Sequence, residues 1–245
     1  MQILLINPNT TPAVTDIICE RVRPMLDEND IVVPVTGRFG ARYISTRAAA
    51  AIAAHAGLDI LASHVSGCDA VYLACFGDPG LPALREISPV PVVGMAEASC
   101  QAACERGGRF GIVTGGTLWK PMLTEFVAAL GLADRFAGVQ TIVPTGDLIA
   151  RDPDAALADL ARACEDCRRQ GGADVVILGG AALAGLAARL QSRVSIPLLC
   201  SVETGMQAVI AAARQPRLRS HSELPHIQSV GLSPALEALL AAPPD

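Results

Sequence analysis

The chain has 245 residues, half of them apolar but only 3% aromatic, and a formal net charge of −5. That length buries an adequate core as one large domain or two small ones, and the acidic balance gives no electrostatic case for nucleic acid or an anionic membrane. No apolar span reaches roughly 18 residues, and the N-terminus enters a strand pattern without a basic leader, so a cytoplasmic protein with no membrane partner is expected. From the N-terminus, short β-branched runs alternate with Ala-rich stretches of helical period. The runs predict strands at 2–6, 31–35, 70–74, 91–94, 110–114, 140–143, 174–178 and 196–199. Helices are predicted at about 12–27, 47–65, 80–87, 96–106, 118–131, 154–170, 184–191 and 203–213. Strand and helix in alternation imply an α/β fold with parallel sheets and right-handed crossovers.

A shift of about 106 residues lays the second half over the first. "LLINPNT" at 4–10 matches "GIVTGGT" at 111–117, pairing Asn7 with Thr114. "DAVYLACFGDPGL" at 69–81 matches "DVVILGGAALAGL" at 174–186, pairing Asp69 with Asp174, Gly80 with Gly185, and Cys75 with Gly180. "PVVGMAEASCQA" at 91–102 matches "PLLCSVETGMQA" at 197–208. Three blocks in order and in register mark the halves as structural repeats. Two parallel-sheet lobes related by a pseudo-twofold are therefore expected. The first is 1–97 plus 206–245, including the "SPALEALL" helix, and the second is 98–205.

In open parallel sheets, ligands bind beyond the carboxyl ends of the strands. Facing lobes would put Asn7, Cys75, Thr114 and Gly180 around one shared cleft. Cys75 ends a strand and "FGDPG", with Phe76 and Gly77, begins a loop into a helix. A helix N-terminus there would lower the thiol pKa; the plainer alternative is a small buried hydrophobe. "NPNTT", with Asn7, Asn9 and Thr10, and "TGGT", with Thr114, Gly115, Gly116 and Thr117, are equivalent strand-to-helix turns. Their amides and hydroxyls, with Gly180 and Ala181 nearby, suit a small-molecule carbonyl or carboxylate; ordinary turns and N-caps are the alternative. Asp78 reads as a turn or helix-capping carboxylate. Arg42 and Tyr43 in "GARYIST" are within reach of the cleft but read first as surface loop.

Several chemistries drop out. The eight cysteines include the helical pairs Cys100/Cys104 and Cys164/Cys167, but no nearby ligands complete a zinc site, so no metal is expected. Lys120 is the single lysine and sits in a helix start, which argues against a pyridoxal Schiff base. His55, His64, His221 and His226 fall in helical or tail contexts and offer no Cys–His pair. No phosphate loop and no Gly-x-Gly-x-x-Gly is present. A cofactor-free, thiol-bearing cleft lined by hydrogen-bond donors remains, and those are the parts for moving a proton at a carbon next to a carbonyl.

The opening "ILLINPNTT", the "ACFGDPGL" block, "PVVGMAEA" and "RFGIVT" together resemble the aspartate/glutamate racemase superfamily, and within it the hydantoin and allantoin racemases, over nearly the whole chain. The resemblance implies two Rossmann-like (flavodoxin-like) lobes, a cofactor-independent active site between them and a homo-oligomer. It also implies two cysteines, one on each face of the substrate. Cys75 matches the first, and Gly180 stands where the second would be. Three catalytic readings follow: racemisation by Cys75 with water or a substitute such as Cys200; one-faced carbanion chemistry, as in the related single-thiol arylmalonate decarboxylases; or a Cys75 nucleophile, as in the related maleate isomerases or a hydrolase. A non-catalytic metabolite binder is the alternative of another class.

Overall fold

The computed structural model describes residues 1–215 and 227–241. Two parts of the segment expected to join the first lobe, 216–226 with His221 and His226, and 242–245, lie outside the described residues.

The first half forms β1 (Gln2–Asn7), α1 (Pro12–Val22), β2 (Ile31–Thr36), α2 (Arg47–His64), β3 (Ala70–Leu73), α3 (Leu81–Ile87), β4 (Val92–Gly94) and α4 (Met95–Arg106). The second forms β5 (Phe110–Gly115), α5 (Trp119–Ala129), β6 (Phe136–Ile142), α6 (Gly146–Arg151), α7 (Pro153–Gly171), β7 (Val175–Leu178), α8 (Leu186–Leu190), β8 (Leu198–Cys200) and α9 (Ser201–Arg214). A last helix, α10 (Pro234–Ala241), packs on α2. The strands make two four-stranded parallel sheets of identical order, β2-β1-β3-β4 and β6-β5-β7-β8. Central strands read as unbroken apolar runs because both faces are covered; Ile3 to Ile6 and Val175 to Leu178 are all buried.

The repeat extends to individual hydrogen bonds. The Asp69 carboxylate accepts the Gln2 N–H at 2.7 Å, and that of Asp174 accepts the Arg109 N–H at 2.8 Å. Gly80 and Gly185 both take a left-handed backbone, with φ of 77° and 79°, just ahead of α3 and α8. Local chemistry sets the helix ends. Pro12 and Pro153 begin α1 and α7, Thr46 and Asp152 cap α2 and α7 through their side-chain oxygens, and Gly172 closes α7 with φ of 65°. Some boundaries differ from the sequence reading, β6 among them, which begins at Phe136 rather than at 140. α1 gives way to a tighter turn at Arg23–Met25, since Pro24 cannot continue it, and the short α6 has too few residues for a periodic signal.

The lobes are joined by exchange. α4 follows β4 of the first sheet but packs against β5, β7 and β8, whereas α9 follows β8 of the second and packs against β1, β3 and β4; the two helices lie on each other. At the α9 crossing the fully buried Tyr72 donates its hydroxyl to the Val202 carbonyl at 3.0 Å. Gly205 gives the ring its room, because a Cβ there would lie 2.6 Å from the Tyr72 Cε2. Gly205→Ala is therefore expected to destabilise the fold by about 1–3 kcal/mol despite alanine's better helix propensity. Urea unfolding checks this, and a neutral or stabilising result would contradict the packing described.

Candidate active site

At the switch point of each sheet the first and third strands diverge in their connections, leaving a crevice at their carboxyl ends. In the first sheet the crevice lies beyond Asn7 and Leu73, and Cys75 sits in it; in the second it lies beyond Gly115 and Leu178, and Gly180 occupies the equivalent place. The two crevices face one cleft, lined from both lobes.

The structure brings Asn9, Cys75, Phe76, Thr114, Gly115, Gly180 and Ala181 together on its wall. It does not bring Asn7, Thr10, Gly77, Gly116 or Thr117 to the lining, and each has a structural task instead. Asn7 is wholly buried and its amide donates to the Asn9 side chain at 3.1 Å and to the Thr15 hydroxyl at 2.9 Å, shaping the loop that carries Asn9. Thr10 donates its N–H to the Ala41 carbonyl, and the Thr117 carbonyl accepts the Lys120 N–H at the start of α5. Gly116 has φ of 85° and donates its N–H to Ile142. Gly77, with φ of 99°, lies under the Trp119 ring, which a Cβ would meet at 2.9 Å.

Sequence reasoning set Tyr43 and Arg42 aside as surface loop, and both line the cleft. Tyr43 crosses from the first lobe to the second, donating to the Gly115 carbonyl at 3.0 Å and accepting the Trp119 indole N–H at 3.1 Å. Trp119, Gly146 and Leu183 also line the site and were not anticipated. The one available signal was Trp119, the only tryptophan in the chain, just after "TGGT".

The thiol departs from its expected state. α3 begins only at Leu81, five residues beyond the residue that follows Cys75, and is one short element. Burial pushes the Cys75 thiol up to about 12, and the nearby Asp78 carboxylate adds to the effect. Asp78 itself is buried with φ of 47°, and its two oxygens accept the Ala96 N–H at 2.9 Å and the Glu97 N–H at 2.7 Å at the start of α4. Burial raises its carboxyl to about 7, although those two hydrogen bonds oppose the rise. The expected capping role thus holds, but for α4 rather than for the adjacent helix.

Across the cleft Gly180 has φ of 129° and donates its N–H to the Ser201 hydroxyl at 3.1 Å. A Cβ there would have ordinary room, its nearest neighbour being the Thr114 Oγ1 at 3.7 Å. Cys200 lines a separate pocket with Arg106 and Gln207 and is not on the wall facing Cys75. Among the described residues, no three His, Cys, Asp or Glu side chains cluster as metal ligands, and no helix is long and apolar enough to cross a membrane.

The family model for Asp/Glu/Hydantoin racemase matches residues 3–209. Hydantoin racemase from Pseudomonas sp. (strain NS671) is 32% identical over 209 residues, 84% of each chain. Hydantoin racemase from Paenarthrobacter aurescens is 30% identical over 207 residues, 83% of this chain and 87% of that one. The crystal structure of allantoin racemase from Pseudomonas fluorescens superposes with a TM-score of 0.87 at 28% identity, covering 94% of this chain and 100% of the other. The chain belongs to the Asp/Glu/hydantoin racemase family and is an enzyme of that class.

The electrostatics give a pH signature. Folded Asp78 titrates near 7, above the roughly 3.9 of an unfolded chain. Its contribution to stability is therefore complete below about pH 4 and is lost as pH rises through about 7. Asp78→Asn is expected to flatten that part of the stability–pH profile in urea titrations. It should also move the onset of Cys75 alkylation, followed residue by residue in mass spectra, to lower pH. A wild-type Cys75 that alkylates at pH 7 as fast as free cysteine would refute the protonated thiol.

Proposed function

We propose that this chain is a cofactor-independent racemase or isomerase that moves a proton at a carbon next to a carbonyl, with Cys75 as the proton-carrying group and a hydantoin- or allantoin-type ring as substrate. The observation that carries the reading is the position of Cys75 at the crevice of the first sheet, on the wall of the cleft between the lobes. The hydantoin and allantoin racemases to which the chain is similar support the substrate class. The carbon flanked by a ring carbonyl and nitrogen is acidic for a carbon acid, and the enolate oxygen formed there needs hydrogen-bond donors around it. The Thr114 hydroxyl on the cleft wall is a candidate donor for it.

A thiol at about 12 needs about 7 kcal/mol to ionise at pH 7, at about 1.4 kcal/mol per unit. The resting group is therefore an acid. It becomes a base only when the bound substrate and the donors around it favour the charge. On the opposite face Gly180 has no side chain, so the second proton of a racemisation comes from water in the space that glycine leaves.

One observation favours a second reading, a single-thiol decarboxylase of the arylmalonate type. A protonated sulfur facing a bare backbone suits protonation of a carbanion from one side only, with loss of CO2 generating that carbanion. Incubation of single-enantiomer 5-substituted hydantoins and of allantoin in heavy water separates the two. Racemisation with deuterium uptake supports the first reading, uptake with retained configuration rules out inversion, and CO2 release from a substituted malonate moves the assignment to the second. Cys75→Ser is expected to lower any of these rates by at least 100-fold, a typical contribution for a proton-transferring side chain. Gly180→Cys is expected to raise the inversion rate, at roughly 1–3 kcal/mol of stability because φ there disfavours a side chain. A folded Gly180→Cys protein with no gain in inversion would refute the facing geometry.

A further inference from the structure

The racemase reading names a ring but leaves unexplained the one charged residue on the cleft wall. Among the described residues lining the cleft, Arg42 is the only cation and no carboxylate is present. Its backbone is fixed, since the Arg42 carbonyl accepts the Thr11 hydroxyl at 2.9 Å. Its guanidinium forms no ion pair or hydrogen bond among the described residues, in contrast to its neighbours. Arg38, in the same loop, pairs with Asp59 at 2.7 Å, and Arg47, at the start of α2, pairs with Glu125.

A second unspent group lies deeper. Thr114 is 5% exposed, lines the cleft beside Gly180, and its hydroxyl has no hydrogen-bond partner among the described residues. It is not sealed in, because no fully buried side-chain oxygen or nitrogen is left unpaired. The lining also includes the apolar Val14, Ile44 and Leu183.

We propose that the carbon acid taken by this cleft bears a carboxylate on the arm directed to the mouth, received by Arg42, while its carbonyl end is held by Thr114 beside Cys75. This rests on the carbon-acid reading of the same cleft. The guanidinium fork matches a carboxylate in two parallel hydrogen bonds. One cation balances a monoanion, whereas a phosphate dianion would leave charge uncompensated on an apolar wall. Arg42 is thus a specificity-determining residue, and a neutral ring would leave it unused.

The single tryptophan lines the cleft and reports on occupancy. Fluorescence titration of the full chain compares hydantoin-5-acetate with hydantoin-5-acetamide, which differ in charge but little in shape. The acetate is expected to bind at least tenfold more tightly, and salt should weaken it selectively. In Arg42→Met the acetate-to-acetamide ratio should collapse toward one. Equal affinities in the wild type, or a ratio that Arg42→Met leaves intact, would overturn the proposal. So would binding of 5-alkylhydantoins without binding of the acetate, which leaves the carbon-acid reading standing. If no hydantoin binds and none exchanges deuterium, that reading fails and the inference falls with it.

Discussion

The active cleft depends on one buried carboxylate. Asp78 belongs to the loop that carries Cys75, yet its oxygens are spent on the N–H groups that open α4, the helix that leaves the first sheet to cover the second. A single side chain therefore ties the thiol loop to the element exchanged between the lobes. The tie costs backbone strain, since a non-glycine residue is held at φ of 47°, a region worth of order 1–3 kcal/mol when forced. Gly94 makes the approach possible: a Cβ there would run into the Asp78 carboxylate. Burial holds the proton on the neighbouring Cys75 thiol, and the same carboxylate adds to that effect.

The architecture was legible because the fold is written twice. Alternating apolar runs and Ala-rich stretches specify strand and helix locally, and the internal match specifies topology: pairs such as Asp69/Asp174 and Gly80/Gly185 occupy the same bond or the same left-handed turn in each sheet. The site was legible only in part. Cys75, Thr114 and Gly180 end central strands, and strand ends are fixed by the repeat. Tyr43 and Arg42 sit in a loop whose course depends on contacts with the other lobe, the Gly115 carbonyl and Trp119 among them, and no local pattern encodes those. Asn7 misled for a related reason. Its residue type suits ligand binding, but its amide is consumed by Asn9 and Thr15.

The thiol's state escaped the sequence for a deeper reason. Proximity to a following helix is a sequence-level cue, but a pKa is set by what surrounds the sulfur in three dimensions. The next helix in the chain, α3, is short and begins six residues after the thiol, and the first N–H groups of α4 are taken by Asp78. The dipole read from the sequence belonged to the helix after "FGDPG", which begins only at Leu81.

The asymmetry between the repeats goes further than a missing side chain. If Gly180 were a simple truncation, its backbone would keep a conformation open to any residue. Instead φ is 129°, its N–H is committed to the Ser201 hydroxyl, and the preceding Gly179 gives way to the Phe76 ring. Glycine tolerates that backbone at no steric cost, whereas a side chain is strained there. The second crevice is thus adapted to being bare, with room bordered by the Thr114 hydroxyl. Two lobes of one design have diverged so that the first presents a thiol to the cleft and the second a bare backbone beside the Thr114 hydroxyl. Under the proposed proton-transfer reading, stereochemistry in such a cleft is decided by what enters that space, water or a group of the substrate itself.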